Sequence, residues 1–215
     1  MNALHQPTSP MPPTERQFQR VNRFWDPKNR TWAAKIGPGE FYTSNHNEMI
    51  STVLGSCVAA CIRLPVAGIG GMNHFMLPTS RQDVEFKLIA AGARYGAVAM
   101  ERLINSLLQY GGRRQDLEVK LFGGAKVLDI DSAVGERNVE FAMEFVKSEG
   151  LKLLAVDMGG MAARKVQYYP GTGVARVRFI VPRNPTVLRR ERNYRLHVDT
   201  LSVTSEVTIF EADEP

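Results

Sequence analysis

Residues 49–78, MISTVLGSCVAACIRLPVAGIGGMNHFMLP, decide how this chain folds. Two apolar runs, Ile50 to Leu64 and Ile69 to Leu77, are rich in Val, Ile and small side chains. Pro65-Val66-Ala67-Gly68 separates them with the composition of a hairpin turn. Arg63, Pro65, Asn73, His74 and four glycines interrupt the stretch, which excludes a membrane-spanning helix there. Both cysteines of the chain, Cys57 and Cys61, fall inside it, together with His74.

Working outward, Tyr95, Ala99, Leu103, Leu107 and Tyr110 recur at helical spacing, and Gly111-Gly112 ends that helix. Leu117, Val119 and Leu121 then alternate with Glu118 and Lys120, as in a strand with one buried face, up to Gly123-Gly124. A second helix is expected from Asn138, whose side chain would cap the free amides, to Gly150. Leu151 to Val156 reads as a strand that stops at Asp157-Met158-Gly159-Gly160. Arg164 to Tyr169 and Val174 to Val181 flank Pro170-Gly171-Thr172-Gly173 as a second hairpin. Hairpins combined with strand-helix-strand units predict an α+β fold (an α/β mixture): a layered mixed β-sheet with β-hairpins, covered by helices.

A chain of 215 residues with 44% hydrophobic and 23% charged side chains holds one well-filled domain with tails. Residues 1–30, with Pro7, Pro10, Pro12, Pro13 and Pro27 among polar residues, read as a flexible arm; residues 31–182 are the domain, and 183–215 an extension, basic then acidic. The net charge of +5 is unevenly spread: +3 in the arm, +4 over residues 183–195, −5 in the last twenty residues and a mild +3 in the body. The arginines around Arg189, Arg190, Arg192 and Arg195 therefore read as a solvated tail, and no nucleic-acid-binding motif accompanies them. Neither a basic n-region nor an apolar h-region opens the chain, so a cytoplasmic protein without membrane insertion is expected. His5, His46, His74 and His197 do not combine with the two cysteines at zinc-site spacing, and no metal is expected.

Cys57 follows Leu54-Gly55-Ser56, a bend at the start of an apolar strand, and His74 lies on the next strand. A loop of even length centred between Pro65 and Val66 sets Cys57 directly opposite His74. A loop shifted by two residues makes them diagonal neighbours on one face, and an odd loop puts them on opposite faces. In either even case a thiol and an imidazole come within reach, the minimum for nucleophilic attack on a carbonyl. On spacing alone a structural cysteine beside a core histidine is the commoner case. Cys61, between Ala60 and Ile62, reads as a small apolar filler.

The run Ile50 to Cys61, followed by Gly70-Gly71-Met72-Asn73-His74-Phe75-Met76-Leu77-Pro78, resembles the signature of the CheD family of chemoreceptor glutamine deamidases. Leu121-Phe122-Gly123-Gly124-Ala125, Gly135-Glu136-Arg137-Asn138, Asp157-Met158-Gly159-Gly160 and Gly171-Thr172-Gly173 extend the resemblance over roughly residues 33–181. It implies a cysteine hydrolase related in fold to the cytotoxic necrotizing factor toxins, with a Cys-His-Thr triad and no cofactor. Cys57 and His74 match nucleophile and base; the third position falls on Ser51, where the family pattern has threonine, and Thr52 sits beside it. If the strand slips by one residue, Thr52 takes over. The implied substrate is a glutamine on the cytoplasmic domain of a methyl-accepting chemotaxis protein, and a CheC-like phosphatase is a further implied partner. A receptor- or phosphatase-binding module and a glutamyl methyl esterase are the rival readings.

Overall fold

The computed structural model describes residues 6–78, 85–127, 133–180 and 193–198. In chain order its long elements are β1 (Asn22–Asp26), β2 (Thr31–Lys35), β3 (Phe41–Ser44), β4 (Glu48–Leu54), β5 (Val58–Leu64), β6 (Ile69–Asn73), α1 (Glu85–Leu108), β7 (Glu118–Gly123), α2 (Ala133–Ser148), β8 (Lys152–Met158), β9 (Ala163–Tyr169) and β10 (Val174–Ile180). They build two five-stranded sheets, one ordered β1-β2-β4-β9-β10 and the other β3-β6-β5-β7-β8. Both are mixed, since β2 and β4 pair in parallel, as do β7 and β8, while the remaining neighbours are antiparallel. The expected α+β class and both hairpins are present.

Side-chain alternation along β5 sorts the core into two layers. Val58, Ala60, Ile62 and Phe75 point one way and pack with Leu103, Leu107, Phe145 and Val146 of α1 and α2. Cys57, Ala59, Cys61, Met72 and Met76 point the other way and join Ala34, Ile50, Leu54, Val166 and Tyr168 of the first sheet. The order of layers is therefore helices, second sheet, first sheet. Helix α1 lies close on β6: a Cβ at Gly71 would fall 2.6 Å from Leu103 Cδ1 and 2.7 Å from the Tyr42 carbonyl. The run Ile50 to Leu64, continuous in hydropathy, is two strands in two different sheets. The chain crosses between them at Gly55-Ser56-Cys57.

Two expectations need correcting. Residues 1–30 are not a free arm over their described part: β1 edges the first sheet, and Phe18 is buried against the Phe41 and Tyr42 rings, with centroids at 5.2 and 5.0 Å. Arg23 donates to the buried Glu48 carboxylate at 3.1 Å and to the Pro12 carbonyl at 2.7 Å, while Trp32 Nε1 donates to the Ser9 carbonyl. Tyr42 and Ser44 hydroxyls complete the shell of Glu48. A buried carboxyl group needs hydrogen-bond partners in place of water, so the arm residue Arg23 is part of the domain. The second correction is Asn138, which lies more than a turn inside α2 and is not its cap.

Residues 193–198 are helical, and Tyr194 packs against the core between the sheets. Arg189, Arg190, Arg192, Val181 and the acidic end lie outside the described residues. Among the described residues no helix is long and apolar enough to cross a membrane.

Candidate active site

Val58 and Phe75 exchange main-chain hydrogen bonds at 3.0 and 2.9 Å, and Cys61 pairs with Met72. In that register His74 stands opposite Ala59 and Cys57 opposite Met76. Cys57 and His74 are thus diagonal neighbours on the face that looks toward the first sheet, the arrangement of the loop shifted by two. The closing pair is Leu64 with Ile69, bridged by a 3-10 turn over Pro65–Ala67 and by Gly68 at φ 64°. Both Cys57 and His74 are buried, at 0% and 2% exposure.

The hydroxyl that meets the imidazole belongs to Thr52, not to Ser51. Thr52 Oγ1 lies 2.8 Å from His74 Nδ1 and 2.9 Å from the Ile36 carbonyl oxygen. A hydroxyl has one proton, and a carbonyl only accepts, so that proton goes to Ile36 and the Thr52 oxygen must accept from His74 Nδ1–H. The tautomer is thereby set, with the Nε2 lone pair left at the far edge of the ring. Nε2 is buried and has no hydrogen-bond partner among the described residues. Burial pushes the His74 pKa down to about 3, so the ring is neutral at any pH near 7. Ser51 sits one residue earlier on β4, level with Lys35 of β2 and Gln167 of β9, and its side chain leaves from the opposite face. That parity removes Ser51 from His74.

The main chain around Cys57 is held by three donors. Ala125 N–H donates to the Gly55 carbonyl at 2.7 Å, and Gly124 N–H to the Cys57 carbonyl at 2.7 Å. Asn138 Nδ2 on α2 donates to the Ser56 carbonyl at 2.8 Å. Gly123, at φ 110°, admits this approach, because a Cβ there would fall 2.2 Å from the Cys57 carbonyl oxygen. The Gly159-Gly160 turn supports the same loop: Gly159 N–H donates to Gly123, and Lys126 N–H to Gly160. Arg164, buried under the turn, donates to the carbonyls of Asp157 and Gly159 and to the Asp157 carboxylate. Cys61 lies on the same face as Cys57, and burial pushes its thiol pKa far up, which suits a filler rather than a nucleophile.

A cavity of about 50 Å³ touches His74 and is lined also by Gly39, Glu40, Tyr95 and Arg102. Tyr194 abuts two of the lining residues. Its hydroxyl is hydrogen-bonded to Tyr95 and lies 2.8 Å from where a Cβ of Gly39 would stand, and Gly39 N–H donates to the His74 carbonyl. Burial first, then Tyr95, then nearby Cys57 push the Tyr194 phenol pKa well up.

The family model for CheD chemotactic sensory transduction matches residues 76–179. A Halorhodospira halophila protein named probable chemoreceptor glutamine deamidase CheD is 51% identical over 197 residues, spanning 90% of this chain and 91% of its own. The chain belongs to the CheD family. A Hahella chejuensis relative of the same name is 42% identical, covering 98% of this chain and 100% of its own, so the kinship includes the N-terminal residues as well. Among solved structures, a Bacillus licheniformis hypothetical protein, YfiH, is 10% identical and covers 55% of this chain and 50% of its own at a TM-score of 0.36.

In this CheD chain the sequence put Cys57 and His74 on one face only for a loop of even length, and it named Ser51 with Thr52 beside it. It did not mark Asn138, Gly123 or Arg164 as supports of the cysteine loop. The available signal was that each lies in or beside a glycine-bearing motif, where backbone segments pass close to one another.

Proposed function

We propose that this protein hydrolyses the carboxamide of specific glutamines on the cytoplasmic domain of methyl-accepting chemotaxis receptors, with Cys57 as nucleophile, His74 as proton carrier and Thr52 as the residue that orients His74. One observation carries the reading: the single Thr52 proton is committed to Ile36, which leaves His74 Nε2 as an unpartnered base on the face it shares with Cys57. The names of the relatives supply the substrate class.

His74 Nε2 takes the thiol proton as Cys57 Sγ adds to the carboxamide carbon. Because His74 is neutral and a weak base in its buried setting, transfer proceeds with bond formation rather than before it. The tetrahedral oxyanion is met by main-chain N–H groups at Ser56 and Cys57. Collapse breaks the C–N bond, His74 returns its proton to nitrogen, and ammonia leaves a thioester. Water, deprotonated by His74, then attacks the thioester and frees glutamate and the Cys57 thiol. Acting on the receptor's cytoplasmic domain, the protein works in the cytoplasm, and a CheC-type phosphatase is its second proposed partner.

The test is ammonia release from purified receptor cytoplasmic domains, with mass spectrometry of their peptides. Wild type converts named glutamines to glutamate, and Cys57→Ala does not. Retention of the conversion by Cys57→Ala, or loss of a methyl group in place of ammonia, overturns the proposal.

A further inference from the structure

Three consecutive carbonyls flank the nucleophile, and each is held by a different donor: Gly55 by Ala125 N–H, Ser56 by Asn138 Nδ2 and Cys57 by Gly124 N–H. Of these three donors, all among the described residues, the middle one is a side chain. A trans peptide is planar, and its C=O and N–H point in opposite directions, so the bond from Asn138 to the Ser56 carbonyl fixes where the Cys57 N–H points. The Gly55 carbonyl, held by the neighbouring loop, fixes the Ser56 N–H in the same way.

That loop and Asn138 lie on one side of the cysteine segment. Helix α2 packs backbone to backbone on the loop: a Cβ at Gly135, one turn before Asn138, would stand 2.8 Å from the Gly124 carbonyl oxygen and 2.9 Å from that of Ala125. Both carbonyls are drawn to the α2 side, and both N–H groups are turned away from it.

Asn138 also reaches the second half of the site. Its Oδ1 accepts from Leu77 N–H at 2.8 Å, three residues beyond His74. The side chain is fully buried, and one amide therefore spans the Cys57 segment and the segment that carries His74. Its donor faces a carbonyl and its acceptor an N–H, so the amide orientation is fixed by its partners. Asparagine meets both demands at once; aspartate of the same shape keeps the acceptor and loses the donor.

We infer that Asn138 is a positioning residue of this site: through the Ser56 carbonyl it aims the Cys57 N–H at the oxyanion, and through Leu77 it holds the His74 segment in register with Cys57. The inference rests on the deamidase reading above. It differs from a role in packing, because orientation of one peptide bears on the charge that develops in the transition state and hardly on the thiol itself.

The experiment compares wild type, Asn138→Asp and Asn138→Ser for ammonia release from receptor domains, and for alkylation of Cys57 by iodoacetamide, a displacement at carbon in which no oxyanion forms. Asn138→Ser, which leaves room for a water, is the second variant should the buried carboxylate prevent folding. Loss of an oxyanion donor typically lowers kcat about 10²-fold, and that is the expected fall, with KM and, in Asn138→Asp, which keeps the acceptor for Leu77, the alkylation rate each within about 3-fold of wild type. For Asn138→Asp the ratio of variant to wild-type kcat rises as pH falls, because a protonated carboxyl donates again to the Ser56 carbonyl. An unchanged kcat, or an alkylation rate that falls as far as kcat, overturns the inference. Wild type that releases no ammonia overturns the deamidase reading, and the role of Asn138 falls with it; wild type active beside an unimpaired Asn138→Asp removes the Asn138 role alone.

Discussion

Replacing Thr52 by valine changes the outline of the side chain little and removes only its hydroxyl, which makes it a sharp test of what holds His74. In wild type that oxygen gives its proton to the Ile36 carbonyl at 2.9 Å and accepts from His74 Nδ1 at 2.8 Å. Thr52→Val leaves both groups buried without this partner, and each orphaned group costs about 1–3 kcal/mol. The stability loss is therefore about 2–6 kcal/mol, at the low end where a water enters, and is read from urea unfolding. The catalytic loss comes from the imidazole, now free to rotate and to carry its proton on Nε2, where it is useless as a base. An orienting bond worth about 1–3 kcal/mol corresponds to roughly 5- to 150-fold in kcat. Thr52→Ser, which keeps the hydroxyl, restores most of that activity, and Ser51→Ala, on the opposite face of β4, leaves kcat within about 2-fold. Steady-state ammonia release at saturating receptor domain separates kcat from KM. A Ser51→Ala variant as impaired as Thr52→Val, or a Thr52→Val variant of full activity, refutes the assignment.

Acid should weaken the fold through His74. Its folded pKa of about 3 lies below the ordinary 6.5, so between those values the unfolded chain binds a proton that the folded one refuses, and stability falls as pH drops. The full gap amounts to roughly 5 kcal/mol, and His74→Gln flattens the slope of unfolding free energy against pH; an unchanged slope in that variant refutes the linkage. Arg164→Met removes the guanidinium that gathers the Asp157 and Gly159 carbonyls and should cost roughly 2–3 kcal/mol in urea unfolding, with a loss under about 0.5 kcal/mol counting against it. Tyr194 is hydrogen-bonded to Tyr95, which lines the cavity at His74, and so stands where it can limit access to the site. Tyr194→Ala should speed iodoacetamide labelling of Cys57 several-fold, and equal rates show that Tyr194 is no barrier.

The parts of this molecule that the sequence made legible are those governed by parity. Any loop of even length between β5 and β6 keeps Cys57 and His74 on one face, so their shared face was readable although their exact pairing was not. That pairing was decided by Gly68 at φ 64°, which lets Leu64 pair with Ile69 across a 3-10 turn. The same parity explains the displaced third residue. Motif alignment runs along the chain one residue at a time, whereas a strand offers alternate residues to each side. A reading off by one therefore names Ser51, on the face of β4 away from His74, where Thr52 is the residue that meets the ring.

What stayed hidden is everything that depends on segments meeting from far apart. Asn138 reads along the sequence as a helix cap because asparagine is a good one; only the packing of Gly135 on the Gly124 and Ala125 carbonyls turns it toward Ser56. Arg23 reads as one cation of a polar arm until Glu48, 25 residues on, is found buried beside it. In both cases a polar side chain takes its role from a buried partner whose need for a hydrogen bond is strict, and that need arises only once the layers have closed. On the proposed deamidase reading, the chemistry of the nucleophile is thus written locally in Cys57 and His74. The peptide inferred to receive the oxyanion is held from α2, more than 75 residues downstream, so on that inference a change in how the helix seats should alter turnover without touching Cys57 or His74.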